Sequence, residues 1–197
     1  MMAADAAFSY LGASAGPAAR TADAVVVLRD GELPVHSARL CFGVLEEAVA
    51  LALDCKQPQK PLCISIPTHC KADFVLFLRL VYSLRPEELA RGMDLADLLT
   101  AGLVAHLCGF VDTLAVIEGG VLGKFCTLDG DFIKYAAAAK NTQQLLDFAE
   151  TVKSENIAAA CGVSIALCFR QPDVPFALRA AFQACKQKCK DQAVRLG

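Results

Sequence analysis

The hydrophobic pattern of residues 22–40 (ADAVVVLRDGELPVHSARL) predicts a β-hairpin that leads into a helix. Residues 24–28 are a short β-branched run, which is typical of a strand buried on both faces. Residues 29–31 supply the turn, because an Asp-Gly pair tolerates the positive φ that a tight hairpin requires. Leu33 and Val35 then alternate with their neighbours, so the second strand is expected to have one exposed face.

The pattern continues with alternating helical and extended segments. Ser37 is expected to cap the first helix, and Asp94 to cap a later one. The run LCISI at 62–66 predicts a third strand, which Pro67 ends. The predicted segments are a helix over 37–53, a loop over 54–61, the third strand, a helix over 71–82, a connection over 83–93, a helix over about 94–108 and a helix over 111–122. Five leucines of the 94–108 helix are in helical register, which predicts a shared apolar face: Leu95, Leu98, Leu99, Leu103 and Leu107.

The C-terminal part of the chain is expected to be entirely helical. An alanine-rich helix is predicted over 131–140, and Asn141 is expected to cap a separate helix, with Gln144 placed as in a capping box. Ser154 is expected to cap the next helix, and Pro175 suits the first turn of a last one over 174–195. The lysines near the end of that helix fit a solvated face better than a binding patch.

Composition and charge narrow the class of protein. The chain has 197 residues, of which 55% are hydrophobic, which suits one domain with a helical extension. A net charge of -2 gives no basic surplus for nucleic acid.

Residues 1–21 have little periodicity and are expected to be a flexible leader without the features of a signal peptide. The apolar region 95–117 is interrupted by charged residues, so no membrane span is expected, and the cytoplasm or nucleus is the expected location.

The ten cysteines give little indication of disulfide bonds, metal binding or thiol catalysis. Without a secretory signal they are expected to be reduced, and most lie in apolar runs where cysteine acts as a small hydrophobe. Cys185 and Cys189 share a helix face, but the chain has three histidines, all distant in sequence, so neither zinc nor another cofactor is expected. A thiol enzyme using Cys70 or Cys126 stays a remote alternative. There is no glycine-rich phosphate loop or nucleophile elbow, so we expect a protein that is not an enzyme.

Several motifs together resemble the BTB (POZ) domain family. They are ADAVVVL at 22–28, His36-x3-Leu40, ISI at 64–66, FVLFLRLVYS at 74–83, DLADLLTAGLVAHLCG at 94–109 and VDTLAVIEGGVL at 111–122. The segment 141–168 is more loosely similar to the first helices of a BACK-type extension. The resemblance implies an α+β fold with a small three-stranded sheet flanked by helices. It divides the chain into a leader at 1–21, a BTB-like domain at 22–122 and a helical extension at 123–197.

The resemblance implies a protein–protein interaction module. BTB proteins are usually homodimers, and many are adaptors that bring a target to a cullin scaffold of a ubiquitin ligase. By resemblance, Ser37 and Leu40 would lie at the dimer interface, together with the leader. The scaffold would be bound around the end of the 71–82 helix and along the 94–122 helix pair. The implied partner-binding residues are Tyr82, Ser83, Arg85 and Phe110.

Two alternatives stay open at this point. Tyr82 either contacts the scaffold or closes its helix with the ring in the core and the hydroxyl at the rim. His36 forms either a pH-sensitive pair with Asp23 or a structural bond to a backbone group, and Asp23 is expected to fix local hydrogen bonds.

Some residues depart from the family pattern. Ser83-Leu84 stands where the family has Thr-Gly, and no strand is evident over 85–93. The residue after the histidine is Ser37 rather than a basic residue, so a charged corepressor pocket is not expected. The sequence also shows no kelch, MATH or zinc-finger region, which favours the alternative function, a structural or assembly subunit of a larger complex with no ligase role.

Overall fold

The computed structural model describes residues 21–40, 62–125 and 133–170, together with Gln183 and Gln187. Within them the fold is mixed α+β, with a three-stranded sheet and a larger number of helices, in the coarse form that the sequence predicts. The elements are β1 (Ala24–Leu28), β2 (Gly31–Val35), α1 (Ser37–Leu40), β3 (Leu62–Ile66), α2 (Lys71–Tyr82), α3 (Pro86–Gly92), α4 (Leu95–Leu107), α5 (Val111–Phe125), α6 (Ile133–Val152) and α7 (Glu155–Arg170).

The chain divides into two compact units, Met1–Ile117 and Glu118–Gly197. The division falls within α5, and the sequence-based boundary at 122/123 lies in the same helix. The predictions for the leader, for residues 41–53 and for the helix over 174–195 with its lysines fall largely outside the described residues.

The sheet has the strand order β2-β1-β3, with β1 antiparallel to β2 and parallel to β3. Val26 pairs with Leu33 on one side and with Ile64 on the other, and all three side chains are buried. The second face of β1 is only half-buried, because burial alternates along the strand. The prediction of a strand buried on both faces is therefore wrong, because only one face of β1 is fully buried, although Val25 and Val27 make the other face apolar as well.

The hairpin turn confirms the Asp-Gly prediction and adds a second role for its aspartate. Gly31 has φ +132°, a conformation that side chains with a Cβ rarely adopt. The Asp30 carboxylate accepts the backbone N–H of Lys71, the first residue of α2, at 2.7 Å. Cys70 makes no side-chain capping bond there, so Asp30 satisfies an N–H that would otherwise lack a partner in the helix.

The residues between α2 and α4 form a short helix rather than the expected connection. α3 has Pro86 in its first turn, followed by Glu87 and Glu88, and Arg91 lies in its last turn. Proline at a helix start removes no needed donor, and the charges complement the helix dipole. The prediction of an irregular connection over 83–93 is therefore wrong for residues 86–92.

α4 buries a different face from the one that its leucines predict. The buried side is formed by small residues around Leu98: Ala101, Gly102, Val104 and Ala105. Leu103 and Leu107 are 39% and 47% exposed. The expected single apolar face of five leucines is therefore wrong, because small residues and Leu98 form the buried side of α4 while Leu103 and Leu107 are exposed. Asp94 occupies the N-cap position, but its side chain makes no capping bond.

In the second unit, α6 and α7 form a helical hairpin. α6 runs without a break through Asn141, so the predicted cap there is wrong, because the backbone continues its helical bonds past that residue. The predicted cap at Ser154 is confirmed, since its hydroxyl accepts the Ile157 N–H at 3.2 Å. Lys153, at φ 57°, ends α6 in the left-handed conformation typical of helix ends. Ser154 also donates a short hydrogen bond to the Glu118 carboxylate.

Candidate functional site

The end of α2 meets the end of β2 through Tyr82 and His36. The Tyr82 hydroxyl oxygen accepts the backbone N–H of His36 at 2.9 Å and lies 3.0 Å from the ring Nδ1. The ring Nε2 lies 3.0 Å from the Thr21 hydroxyl, and the tautomer of His36 determines which partner donates in each of the two ring contacts. The expected bond from the His36 ring to a backbone group is wrong, because both ring nitrogens contact side-chain hydroxyls. Among the described residues His36 also forms no ion pair with Asp23.

Asp23 fixes the same junction from the start of β1. Its two carboxylate oxygens accept the backbone N–H and the hydroxyl of Ser37, at 2.7 and 2.6 Å. Asp23 therefore forms local hydrogen bonds, as the sequence analysis expects. Ser37 stands where the resemblance would require a basic residue for a charged pocket. Here its backbone N–H and its hydroxyl donate hydrogen bonds to the Asp23 carboxylate.

The junction shifts the pKa of two groups in opposite directions. Burial pushes the pKa of Asp23 upward, but the hydrogen bonds from Ser37 and the nearby His36 outweigh it, and the net pKa lies below the usual value. Burial raises the pKa of Tyr82, against the weaker opposing effects of the His36 N–H and the Arg39 charge. The Arg39 guanidinium carbon lies 5.9 Å from the centre of the Tyr82 ring.

The other residues implied for partner binding lie in very different surroundings. Ser83 ends α2, and Arg85 is exposed and paired with Glu88 at 3.3 Å. Phe110 is only 6% exposed and packs edge-to-face on Phe77, with ring centres 5.0 Å apart. Its side chain therefore belongs to the core and offers a partner little surface.

The residues implied for the dimer interface are also buried within the chain. Ser37 is 9% exposed and bonded to Asp23, and Leu40 is fully buried. Any dimer contact there would have to be made by the residues around them. The leader, which the resemblance also places at that interface, lies outside the described residues except for Thr21.

Sequence analysis missed the exposed apolar side chains of the first unit. Leu103 and Leu107 lie four residues apart on α4, and Val111, which is 75% exposed, begins α5 after the helix is interrupted at 108–110. We call these three residues the α4–α5 corner. Leu84, between α2 and α3, is 94% exposed. Hydrophobicity alone could not single them out, because apolar residues are common in both buried and exposed positions of these helices.

The described cysteines range from the exposed Cys63 to the buried Cys108 and Cys161. Burial raises the pKa of the Cys108 thiol to about 12, which keeps it protonated. His69 has its Nδ1 2.9 Å from the Thr68 hydroxyl, and Cys70 is half-buried. Among the described residues, no three His, Cys, Asp or Glu side chains are grouped to hold a metal ion. Cys126, Cys185 and Cys189 lie outside this part of the chain.

No described helix combines the length and the apolar character needed to cross a membrane. Comparisons with protein-family models, with curated proteins and with solved structures each found no match to this chain.

Proposed function

We propose that the chain is a protein–protein interaction module of the BTB type, and that it acts as an adaptor for a cullin-type ubiquitin ligase scaffold. The observation that carries this proposal is the α4–α5 corner. Its three apolar side chains are exposed on the helix pair that the BTB resemblance assigns to scaffold binding. Exposed apolar side chains on two consecutive helices are suited to a protein-binding surface.

The order of the elements also supports the proposal. A hairpin, the start of a helix, a third strand, α2 and then the α4–α5 pair follow one another as in the BTB resemblance. The adaptor role itself comes from that resemblance and not from the geometry, since one fold serves many functions.

The experiment is a calorimetric titration of the full chain against the N-terminal domain of a BTB-binding cullin. We expect a complex, and we expect Val111→Asp to weaken it about tenfold or more, because an unpaired charge would be desolvated in an apolar contact. Val163→Asp is the matched control, since Val163 is also exposed, at 61%, but lies on α7 in the second unit. No complex with a folded chain would contradict the adaptor role.

Homodimer formation is the second part of the proposal. Sedimentation equilibrium of the full chain at high concentration should give twice the monomer mass. A strictly monomeric chain would contradict homodimer formation without bearing on cullin binding.

One observation favours a structural or assembly subunit without a ligase role as the second candidate. α3 occupies the segment where the BTB pattern has a strand, and it directly follows the departure at Ser83-Leu84. If the scaffold-facing loop differs in this way, the exposed corner would serve another protein. A folded chain that dimerises but gives no heat with the cullin domain is the result expected for this candidate.

A further inference from the structure

The tip of the β1–β2 hairpin carries a reactive Asp-Gly pair at the surface. Asp30 is exposed and Gly31 is half-buried. In any Asp-X pair the backbone nitrogen of X can close a five-membered ring on the aspartate carboxyl carbon, and glycine has no Cβ to hinder that nitrogen. The sequence contains a second such pair, Asp129–Gly130, which lies outside the described residues.

The reaction open to this pair is an isomerisation of the backbone. The Gly31 nitrogen bonds to Cγ of the neutral Asp30 carboxyl group, whose hydroxyl leaves as water with the amide proton. Water then opens the cyclic imide, either at Cγ, which restores aspartate, or at the main-chain carbonyl carbon of Asp30, which gives isoaspartate. In isoaspartate the main chain runs through Cβ and the free carboxylate is attached to Cα, so the mass of the chain is unchanged.

Three contacts hold the turn against the segment that begins α2. The Arg29 N–H donates to the His69 carbonyl at 3.0 Å, and the Lys71 N–H donates to the Asp30 carboxylate at 2.7 Å. The end of the Lys71 side chain lies 2.7 Å from the place that a Cβ on Gly31 would occupy. For the ring to close, the Asp30 carboxyl group has to turn to the Gly31 nitrogen and lose an oxygen. The bond from Lys71 opposes both changes, because it fixes one carboxylate oxygen in place.

We propose that Asp30–Gly31 is a site of isoaspartate formation, and that the hydrogen bond from the first residue of α2 restrains the reaction in the folded chain. Conversion would in turn release the start of α2. The carboxylate of isoaspartate is one carbon closer to the main chain, and the backbone between residues 30 and 31 is one carbon longer, so the bond to the Lys71 N–H cannot form as before. This modification site is independent of the proposed binding function.

The test measures isoaspartate at residues 30–31 in the full chain, kept folded at neutral pH and physiological temperature. Peptide mapping locates the isomer, and methyl transfer by an isoaspartyl methyltransferase quantifies it. Lys71→Pro removes the restraining N–H and should speed conversion about five- to tenfold. Proline suits the first helical position, and Cys70 before it is already extended, as a residue preceding proline prefers. Lys71→Met is the matched control and should stay within about twofold of the wild type, because its N–H is retained.

The outcomes test the site and its restraint separately. In denaturant, Asp30–Gly31 and Asp129–Gly130 should both convert, and conversion of the second pair alone would overturn the site. A folded Lys71→Pro chain that converts no faster than the wild type would overturn the restraint. If that variant does not fold, the wild type supplies the comparison, since equal rates in native buffer and in denaturant would overturn the restraint as well.

Hydrogen exchange of the Lys71 amide tests the release of α2. In the isolated isoaspartyl form this amide should exchange at least about tenfold faster than in the unconverted chain, because its acceptor is lost. Unchanged exchange of this amide would show that the start of α2 is not released.

Discussion

The middle of α2 and its two ends are stabilised by different chemistry. In the middle, Phe74, Phe77 and Phe110 form a buried chain of edge-to-face rings, with centres 5.4 and 5.0 Å apart. At the ends, hydrogen bonds join the helix to the hairpin, with Asp30 at the N-terminal end of α2 and with Tyr82 at its C-terminal end. The middle therefore supplies non-directional apolar burial, whereas the ends supply directional bonds.

The two ends also define how α2 lies on the hairpin. Asp30 immediately precedes β2 and His36 immediately follows it, so α2 runs in the same direction as β2 from one end to the other. A helix of this length spans about 17 Å and the strand with its flanking residues about 20 Å, so the two lengths agree. The aromatic core provides the attraction, and the polar ends determine the register of the helix along the strand.

The largest effect should come from removing the central ring. Phe77→Ala is expected to lower the free energy of unfolding by about 3–5 kcal/mol, because Phe77 is fully buried between two other rings. Denaturant unfolding monitored by circular dichroism measures this. The exposed Leu84→Ala should change the free energy by less than about 0.5 kcal/mol. A Phe77→Ala loss as small as that of the control would contradict a core built on these rings.

The turn beside the start of α2 should be the next most sensitive position. Gly31→Ala is expected to cost about 1–3 kcal/mol, because a Cβ at φ +132° strains the backbone. The Lys71 side-chain end would lie 2.7 Å from the new Cβ, but it is flexible and can move aside. Thermal unfolding is the measurement, with Gly92→Ala as a control, since nothing lies within 4 Å of a Cβ there. An equal effect of both substitutions would show that the turn conformation is not responsible.

The C-terminal end of α2 should contribute less to the free energy of unfolding than the aromatic core. Tyr82→Phe is expected to lower the free energy of unfolding by about 1 kcal/mol, because the half-buried His36 N–H loses its acceptor while the ring stays. The comparison with Phe77→Ala by the same denaturant method sharpens the distinction between the two regions. A loss as large as that of Phe77→Ala would mean that the polar end, and not the core, dominates.

Ionisation of Tyr82 should also make the free energy of unfolding depend on pH in the alkaline range. The folded chain holds the pKa of Tyr82 above its ordinary value of 10.0, so the unfolded chain releases the phenol proton first. This stabilisation is complete below that value and is lost as the pH rises through the folded pKa. Tyr82→Phe should lack this contribution, so the difference between the two proteins in unfolding titrations should shrink above pH 10. A difference that is constant with pH would contradict the raised pKa.

The smallest effect is expected at Ser37. Ser37→Ala should cost below about 1 kcal/mol near neutral pH, because the hydroxyl bond to Asp23 is lost while the backbone bond stays and solvent screens the carboxylate. Asp23 has a lowered pKa, so its contribution is present above the usual value of 3.8 and is lost as the pH falls through the folded pKa. Urea unfolding should therefore show a larger difference from wild type at pH 7 than at pH 2.5. An equal difference at both values would exclude the charged form of Asp23 as the cause.

Local sequence patterns were most informative where a single side chain determines the backbone conformation. The Asp-Gly turn at 30–31, the strand bounds of β1 and the cap at Ser154 all follow from short-range rules of φ preference and capping. The same rules failed at Asn141, where the helix continues through a residue that often caps helices. A capping residue provides an alternative to the helical bonds but does not prevent them when the segment stays helical on both sides.

The faces of α4 show why the candidate surface could not be found from sequence. Leu98 and Leu103 are the same residue type on one helix, yet one is fully buried and the other is 39% exposed. Their positions on the helix surface were predictable, but which side a neighbouring helix would cover was not. The buried side of α4 includes the small residues Ala101 and Ala105, which a pattern of leucines does not mark.

The sequence by itself determined the types of the other described elements but not of α3, and it determined the hairpin turn and the mixed α+β class, because these depend on neighbours within a few residues. Only the tertiary structure decided that Tyr82 bonds to His36, 46 residues earlier in the chain, and that Asp30 meets Lys71. The tertiary structure also left Leu84 and the α4–α5 corner exposed. These outcomes depend on how separate elements pack, and a pattern read along the chain contains no distance between elements that are far apart in sequence.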